Sequence, residues 1–393
     1  MIKKEMEKIN TMFFNRKKIF TISLIVLVII VLIVLISLYL TQKNMRDWID
    51  INILRKNLTE DDTQIINLDT DKSNQIHIYN KYVAILNDKT VNLYNSYGEK
   101  VTSIDINIGT AVFDSADKYF AIGEKDGHEF CLILDKNYLW SDTVEGEILQ
   151  VHVNRNGYVA IITEDVNHKS ILTCYNSEGK KLFTSYFAST RIIDASISND
   201  NKYIAIGELD TSGTVIKSTI KILSIKNAQN EPKNTMIYTY NAEDGTLITN
   251  VKYQEKGQIL CVYDNEIDVI KNEENSQIIK IENDNITFVT NNLKNDVVYI
   301  EEENLGLFKS KSNINIINSF DRHKTVYELN EIAKEIYSEG NIIAVNTGAE
   351  IYFINTSGWL VKKYTAKQEI TNVEVSDNMA IIVYKDKIVI VNI

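Results

Sequence analysis

The chain has 393 residues, with 42 Lys+Arg against 53 Asp+Glu and a net charge of -11. That balance argues against a general nucleic-acid binder, which needs a basic footprint. Three cysteines exclude a disulfide scaffold and an all-cysteine zinc site. The single proline, Pro232, where average usage of about 5% would give roughly twenty, excludes collagen-like and proline-rich architectures.

Residues 1–18 are short and basic, with Lys3, Lys4, Lys8, Arg16, Lys17 and Lys18. Ile19–Leu40 follows, an uncharged run rich in Ile, Leu and Val. At about 1.5 Å per residue a helix of this length is roughly 33 Å long, enough to span a hydrocarbon core of about 30 Å. A signal peptide has a shorter apolar region and a small-residue cleavage site. Ser37-Leu38-Tyr39-Leu40-Thr41 is a poor one. The expectation is one uncleaved transmembrane helix over 19–41.

After it come Lys43 and Arg46 beside Asp47 and Asp50. The positive-inside rule then puts the N-terminus in the cytoplasm and the large remainder outside. Residues 42–393 hold 36 basic and 51 acidic residues, a net of -15. Anionic headgroups repel such a domain.

Residues 42–62 read as a juxtamembrane linker, with Met45, Trp48 and Ile49 at the spacing of a short amphipathic helix. From 63 to 393 the pattern is strand, turn, strand. Glu328–Tyr337 alone has the composition of a short helix.

One segment recurs: Tyr82-Val83-Ala84-Ile85, Tyr119-Phe120-Ala121-Ile122, Tyr158-Val159-Ala160-Ile161 and Tyr203-Ile204-Ala205-Ile206, with weaker copies at 258–262, 297–300, 342–345 and 380–383. A second strand follows each, at Val91–Tyr94, Phe130–Leu134, Ile171–Tyr175, Thr219–Ser224, Ile267–Ile270, Leu305–Lys309, Glu350–Ile354 and Lys387–Val391. Successive units lie roughly 40–45 residues apart, the period of a four-stranded propeller blade. The expected fold is all-β, a β-propeller of eight four-stranded blades, with seven as the alternative because Asn227–Asn234 lengthens the fourth unit. The last unit has only three strands. Gln64–Leu68 is a spare strand able to complete it and close the ring.

Asn95–Gly98, Asn176–Gly179 and Asn355–Gly358 have the form of turns in which Asn caps its own backbone and Gly accepts positive φ. Ser198-Asn199-Asp200-Asn201-Lys202-Tyr203-Ile204-Ala205 resembles the Ser-Pro-Asp-Gly-Lys hairpin of WD-like and related bacterial propellers, with Asn199 where proline is usual. The Asn-x-x-Gly turns resemble those of quinoprotein-type eight-bladed propellers. A single N-terminal span joined to such repeats resembles an uncharacterised clostridial family of membrane-anchored propellers. That resemblance implies architecture and no activity.

No residue set earns assignment as catalytic, cofactor-binding or metal-binding. His77, His128, His152, His168 and His323 have no local metal-ligand spacing and read as exposed loop histidines. Cys131, Cys174 and Cys261 fall inside apolar strands and read as buried small hydrophobes. Trp140 and Trp359 open outer strands and read as blade packing. The adjacent cysteines of quinone-cofactor dehydrogenases do not occur. One pattern stands out. A carboxylate follows the repeated strand at Glu124, Glu164, Glu208, Asp264 and Glu302, with Asp126, Glu129, Asp165, Asp210 and Glu303 nearby. The ordinary reading is solvated strand ends, and the sharper one an acidic rim that attracts a basic partner.

The expected function is a membrane-anchored extracytoplasmic propeller, non-enzymatic and without cofactor, binding another protein or acting as an envelope scaffold. The alternatives are a ligand sensor working through a membrane partner and a quinoprotein-type enzyme.

Overall fold

The computed structural model describes every residue except Met1, 43–44, 47–48, 51–52, 55, 281–285, 291 and 305–309. The chain forms two units, Met1–Asn57 and Leu58–Ile393. In the first, a continuous helix covers Ile2–Thr41. No residue of its apolar stretch Phe20–Thr41 is buried. Met45, Arg46, Ile49 and Asp50 are also helical, while Trp48 lies outside the described residues. Asp50 accepts a hydrogen bond from the Tyr39 hydroxyl at 2.8 Å and pairs with Lys56 at 3.0 Å.

The second unit is a β-propeller of eight blades, each built on four antiparallel strands. The first strands are Gln75–Tyr79, Ala111–Ala116, Glu147–Val153, Arg191–Ile197, Ile248–Tyr253, Ile286–Thr290, Glu335–Glu339 and Asn372–Val375, in blades 1 to 8. The recurring Tyr-x-Ala-Ile segments are the second strands. Each second strand is sandwiched between neighbouring blades, so both of its faces must be apolar. In blade 1, Val83 and Ile85 pack toward blade 8, and Ala84 and Leu86 toward blade 2. In blade 3, Val159 and Ile161 face blade 2, and Ala160 and Ile162 face blade 4. This explains a continuous apolar run where a half-exposed strand would alternate.

The core is correspondingly divided. Eight clusters of buried apolar side chains fill the eight junctions between successive blades, the last joining blade 8 to blade 1. The ring closes as the spare strand predicts. Gln64–Asn67 pairs antiparallel with Lys387–Asn392, with Gln64 opposite Ile390 and Asn67 opposite Lys387. Leu68 N–H continues the pairing to Asp386 O at 2.9 Å. Ile66 is buried among Ile78, Val83, Met379, Ile388 and Ile390, so one strand seals both the last blade and the seam. Ahead of it, Glu60 bonds to Lys387 Nζ at 2.6 Å, and Leu58 packs on the cluster between blades 7 and 8.

The turn chemistry follows the sequence. Asn176 Oδ1 accepts from the amides of Glu178 and Lys180, and Gly179 takes φ +81°. Asn355 Oδ1 does the same for Ser357 and Trp359. Ser198 Oγ receives the amides of Lys202 and Tyr203, and Asn201 supplies the left-handed residue at φ +60°.

Two expectations need correction. Glu328–Tyr337 is not a helix. It divides between the strand Lys324–Leu329 and the strand Glu335–Glu339, because burial of Leu329 and Ala333 between blades 6 and 7 outweighs helix propensity. In blade 6, Leu305–Lys309 lies outside the described residues, and the third strand is Ser310–Asn318. The long fourth unit carries a short helix, Ile225–Asn230, capped by Ser224 Oγ at 3.3 Å from the Asn227 amide. It decorates blade 4 and leaves the blade count at eight.

Candidate functional site

The eight first strands surround a cavity of about 1160 Å³ on the ring axis. The hairpins between first and second strands also line it, including Asn80, Asp117, Asn154, Glu255, Gly340 and Asp377, so it opens toward the face that carries them. Midway along the strands it is lined by His77, Asp114, Gln150, His152, Asp194, Lys252, Glu339 and Glu374. Bulges in blades 3 and 4 shift the register between Ile148 and Gln150 and between Ile192 and Asp194. A bulge re-aims the side chain that follows it, and here the side chains that follow are Gln150 and Asp194.

These polar groups bridge blades. Asp114 Oδ2 of blade 2 accepts the Val153 amide of blade 3 at 2.7 Å. Asp194 Oδ2 of blade 4 accepts the Val251 amide of blade 5 at 2.8 Å. Glu374 Oε2 of blade 8 accepts the Ile78 amide of blade 1 at 2.7 Å. Ser196 Oγ takes the Tyr253 amide at 2.9 Å. Gln75 exchanges two bonds of 2.8 Å with the Ala111 backbone, and Gln150 Nε2 donates to Ile193 O at 2.9 Å. An edge strand has unpaired backbone groups that must find partners. The channel side chains supply them, so five successive junctions, from blade 8 through blade 1 to blade 5, are clasped at the axis.

Two histidines belong to this set. His77 Nδ1 stands 3.1 Å from Glu374 Oε2, and its Nε2 stands 2.8 Å from Ser115 Oγ. His152 Nε2 lies 3.1 Å from Gln150 Oε1 and 3.6 Å from Asp194 Oδ1. They are part of the channel wall, which corrects their reading as loop histidines. Sequence reasoning missed them because the first strands share no repeated residue. Their common property is a position against the neighbouring blade, which appears only once the blades are in register.

The electrostatics follow from burial. Loss of hydration pushes the Asp194 carboxyl up to about 7 and also raises Asp114. Burial lowers His152. Burial acts the same way on His77, but the hydrogen bond and charge of Glu374, with the charges of Asp114 and Glu339, more than offset it and leave this imidazole raised.

The other candidate residues lie elsewhere. Each second strand starts at the cavity-side hairpin, so Glu124, Glu164 and Glu208 end on the opposite face. They share that face as the acidic-rim reading requires, but none lines the cavity. Glu164 pairs with Arg191 at 2.9 Å, Glu208 is buried against Lys221 at 2.8 Å, and Asp264 accepts the Leu247 amide at 2.9 Å. His128 Nδ1 contacts Gly146 O at 2.6 Å, and His168 contacts Asp165 at 3.0 Å. Cys131, Cys174 and Cys261 are buried, and burial pushes the Cys131 thiol up to about 12 and raises the other two. Trp140 packs on Phe130 and Tyr175 and donates to Ser177 O of the next blade at 3.0 Å. Among the described residues, no three His, Cys, Asp or Glu side chains gather as a metal-binding group.

The chain belongs to a family of unknown function, DUF5711, whose model matches residues 56–393. No curated protein matches it in sequence. In structure it is similar to BamB from Moraxella catarrhalis, at 12% identity and a TM-score of 0.50, over 84% of this chain and 98% of that one. It is also similar to the C-terminal WD40 domain of Sif2, at 11% identity and a TM-score of 0.57, over the same shares of the two chains. At such identities the likeness establishes the propeller fold.

Proposed function

We propose that this protein is a single-pass membrane protein that displays its propeller outside the cytoplasm as a non-enzymatic protein-interaction module. The observation that carries the interaction reading is the use made of the channel groups. Asp114, Asp194 and Glu374 have the chemistry of general acids and bases, yet each is bonded to the backbone of an adjoining blade. Groups committed in this way rigidify a disk whose exposed loops are left to recognise a partner. For the anchor, the support is the uncharged, uncovered stretch Phe20–Thr41. An exposed apolar surface of that size favours a membrane or another protein as its cover. The basic flank before it favours a cytoplasmic N-terminus.

The test has two arms. Protease is added to intact cells stripped of their wall, and epitopes after residue 58 are followed. Their degradation supports outward display, and their protection overturns it. Crosslinked pull-down of the full-length protein from membranes then identifies the partner. Recovery of the protein with no stoichiometric crosslinked partner, together with turnover of a small molecule that depends on Asp114 or Asp194, would replace the interaction reading with an enzymatic one.

A further inference from the structure

The ring is closed without a covalent link, at a seam between the last three strands, 372–392, and the closing strand, 64–67, which runs on into blade 1. His77 stands at that seam and touches three blades at once. It belongs to blade 1, its Nδ1 faces Glu374 of blade 8 at 3.1 Å, and its Nε2 faces Ser115 of blade 2 at 2.8 Å. The imidazole stacks on Phe120, with centroids 5.4 Å apart and planes 19° apart, and lies 4.9 Å from Phe113. The Glu374 oxygen facing His77 also accepts the Ile78 amide. One carboxylate oxygen therefore joins the imidazole and the backbone of blade 1 to the last blade.

We propose that His77 and Glu374 form an acid-strengthened latch, in which protonation of the imidazole tightens the closure of the ring. A neutral imidazole donates from one nitrogen only. A protonated one donates from both, to Glu374 and to Ser115, and adds a charge-assisted bond across the seam. The charged groups around it favour this state. Besides Glu374, the Asp114 carboxylate of blade 2 and the Glu339 carboxylate of blade 7 act on His77, and both are negative when ionised. The latch contributes its stability fully below the unfolded imidazole value, roughly 6.5. That contribution is lost as the pH rises through the raised folded value.

His152 acts in the opposite sense. Its imidazole is lowered by burial, so acid protonates the unfolded chain first and weakens the fold. A global melting curve would mix the two with the titration of the raised Asp114 and Asp194 carboxyls. The measurement must be local to the seam and is made on the full-length protein in detergent, in the H152Q background and in the parent.

Amide hydrogen exchange at Ile78, and at the strands 64–67 and 387–392, is read at pH 5 and pH 8 after correction for intrinsic exchange. Protection of the Ile78 amide should be greater at pH 5, by roughly tenfold for each unit by which His77 titrates above an ordinary imidazole. H77Q and E374Q keep hydrogen-bonding shape without the ion pair and should flatten this response. Equal protection of Ile78 at the two pH values overturns the latch, and so does a response that survives H77Q. If either variant fails to fold, NMR titration of the His77 imidazole in the parent decides. A value above the ordinary one supports the latch, and a value at or below it overturns the proposal.

Discussion

Asp194 and Val251 lie 57 positions apart in sequence, yet the carboxylate Oδ2 of one holds the amide of the other at 2.8 Å across a blade junction. Asp194 is 7% exposed, and burial raises its carboxyl from an ordinary 3.8 to about 7. The folded state then holds a proton that the unfolded state has released, so this group lowers stability as the pH climbs from about 4 to about 7. D194N keeps an acceptor for Val251 and abolishes the titration. Its stability relative to the parent should improve between pH 5 and pH 8 in urea denaturation. D194A leaves the Val251 amide unpaired and should be less stable than D194N by about 1–3 kcal/mol at either pH. A pH-independent difference between the parent and D194N would show that Asp194 titrates normally.

The closing strand gives a second expectation. A chain beginning at Lys72 loses Gln64–Asn67, and with it the pairing to Lys387–Asn392 and the buried Ile66. Burial of one such side chain is worth about 1.5–3 kcal/mol. The newly opened edge of blade 8 also invites intermolecular pairing. Thermal unfolding and size-exclusion chromatography should show a lower Tm and more aggregate than for a chain beginning at Leu58. Equal Tm values would mean that the seam holds without the strand.

The repeated second strands and the Asn-x-x-Gly turns were legible in the sequence because local rules govern them. An apolar run is forced wherever a strand is covered on both faces, and a left-handed turn residue is forced by the hairpin itself. The channel was not legible, because His77, Asp114 and His152 stand opposite the Ala of the repeated strand but differ in residue type from blade to blade, and Asp194 is displaced from that position. Their role is set by which amide of the adjoining blade each one meets. Blade 6 was misjudged for a related reason. Leu305-Gly306-Leu307-Phe308 is the more apolar run, but Ser310–Asn318 places Ile314 and Ile316 in the core toward blade 7, opposite polar residues that face elsewhere.

The turn at Asn176–Gly179 makes a third prediction. Gly179 has φ +81°, and a Cβ there would stand 2.9 Å from Trp140 Cδ2 of the adjoining blade. G179A meets both a strained backbone and the indole. It should lower stability by roughly 1–3 kcal/mol. W140F removes the 3.0 Å bond to Ser177 O and should cost about 0.5–1.5 kcal/mol. Because the indole is the obstacle, G179A should cost less in a W140A background than alone. Additivity of the two changes in denaturation experiments would place the strain in the backbone only.

Glu208 separates burial from surface charge among the carboxylates at the strand ends. It is 1% exposed, Lys221 reaches its Oε2 at 2.8 Å, and its Oε1 has no hydrogen-bond partner among the described residues. Removing only the cation leaves a buried uncompensated carboxylate, so K221M should cost about 3–5 kcal/mol. E208Q removes the charge and keeps the shape, and should cost clearly less. The double variant E208Q/K221M should recover part of the K221M loss, because no buried charge remains. Glu164 pairs with Arg191, whose side chain is 49% exposed, and E164Q should change stability by under about 1 kcal/mol, with the effect vanishing at high salt. Urea denaturation of the four variants at low and high salt measures all of this. If K221M proved as mild as E164Q, the Glu208 site would be open to water, and it would rejoin Glu124 and Glu164 as a surface charge available to a basic partner.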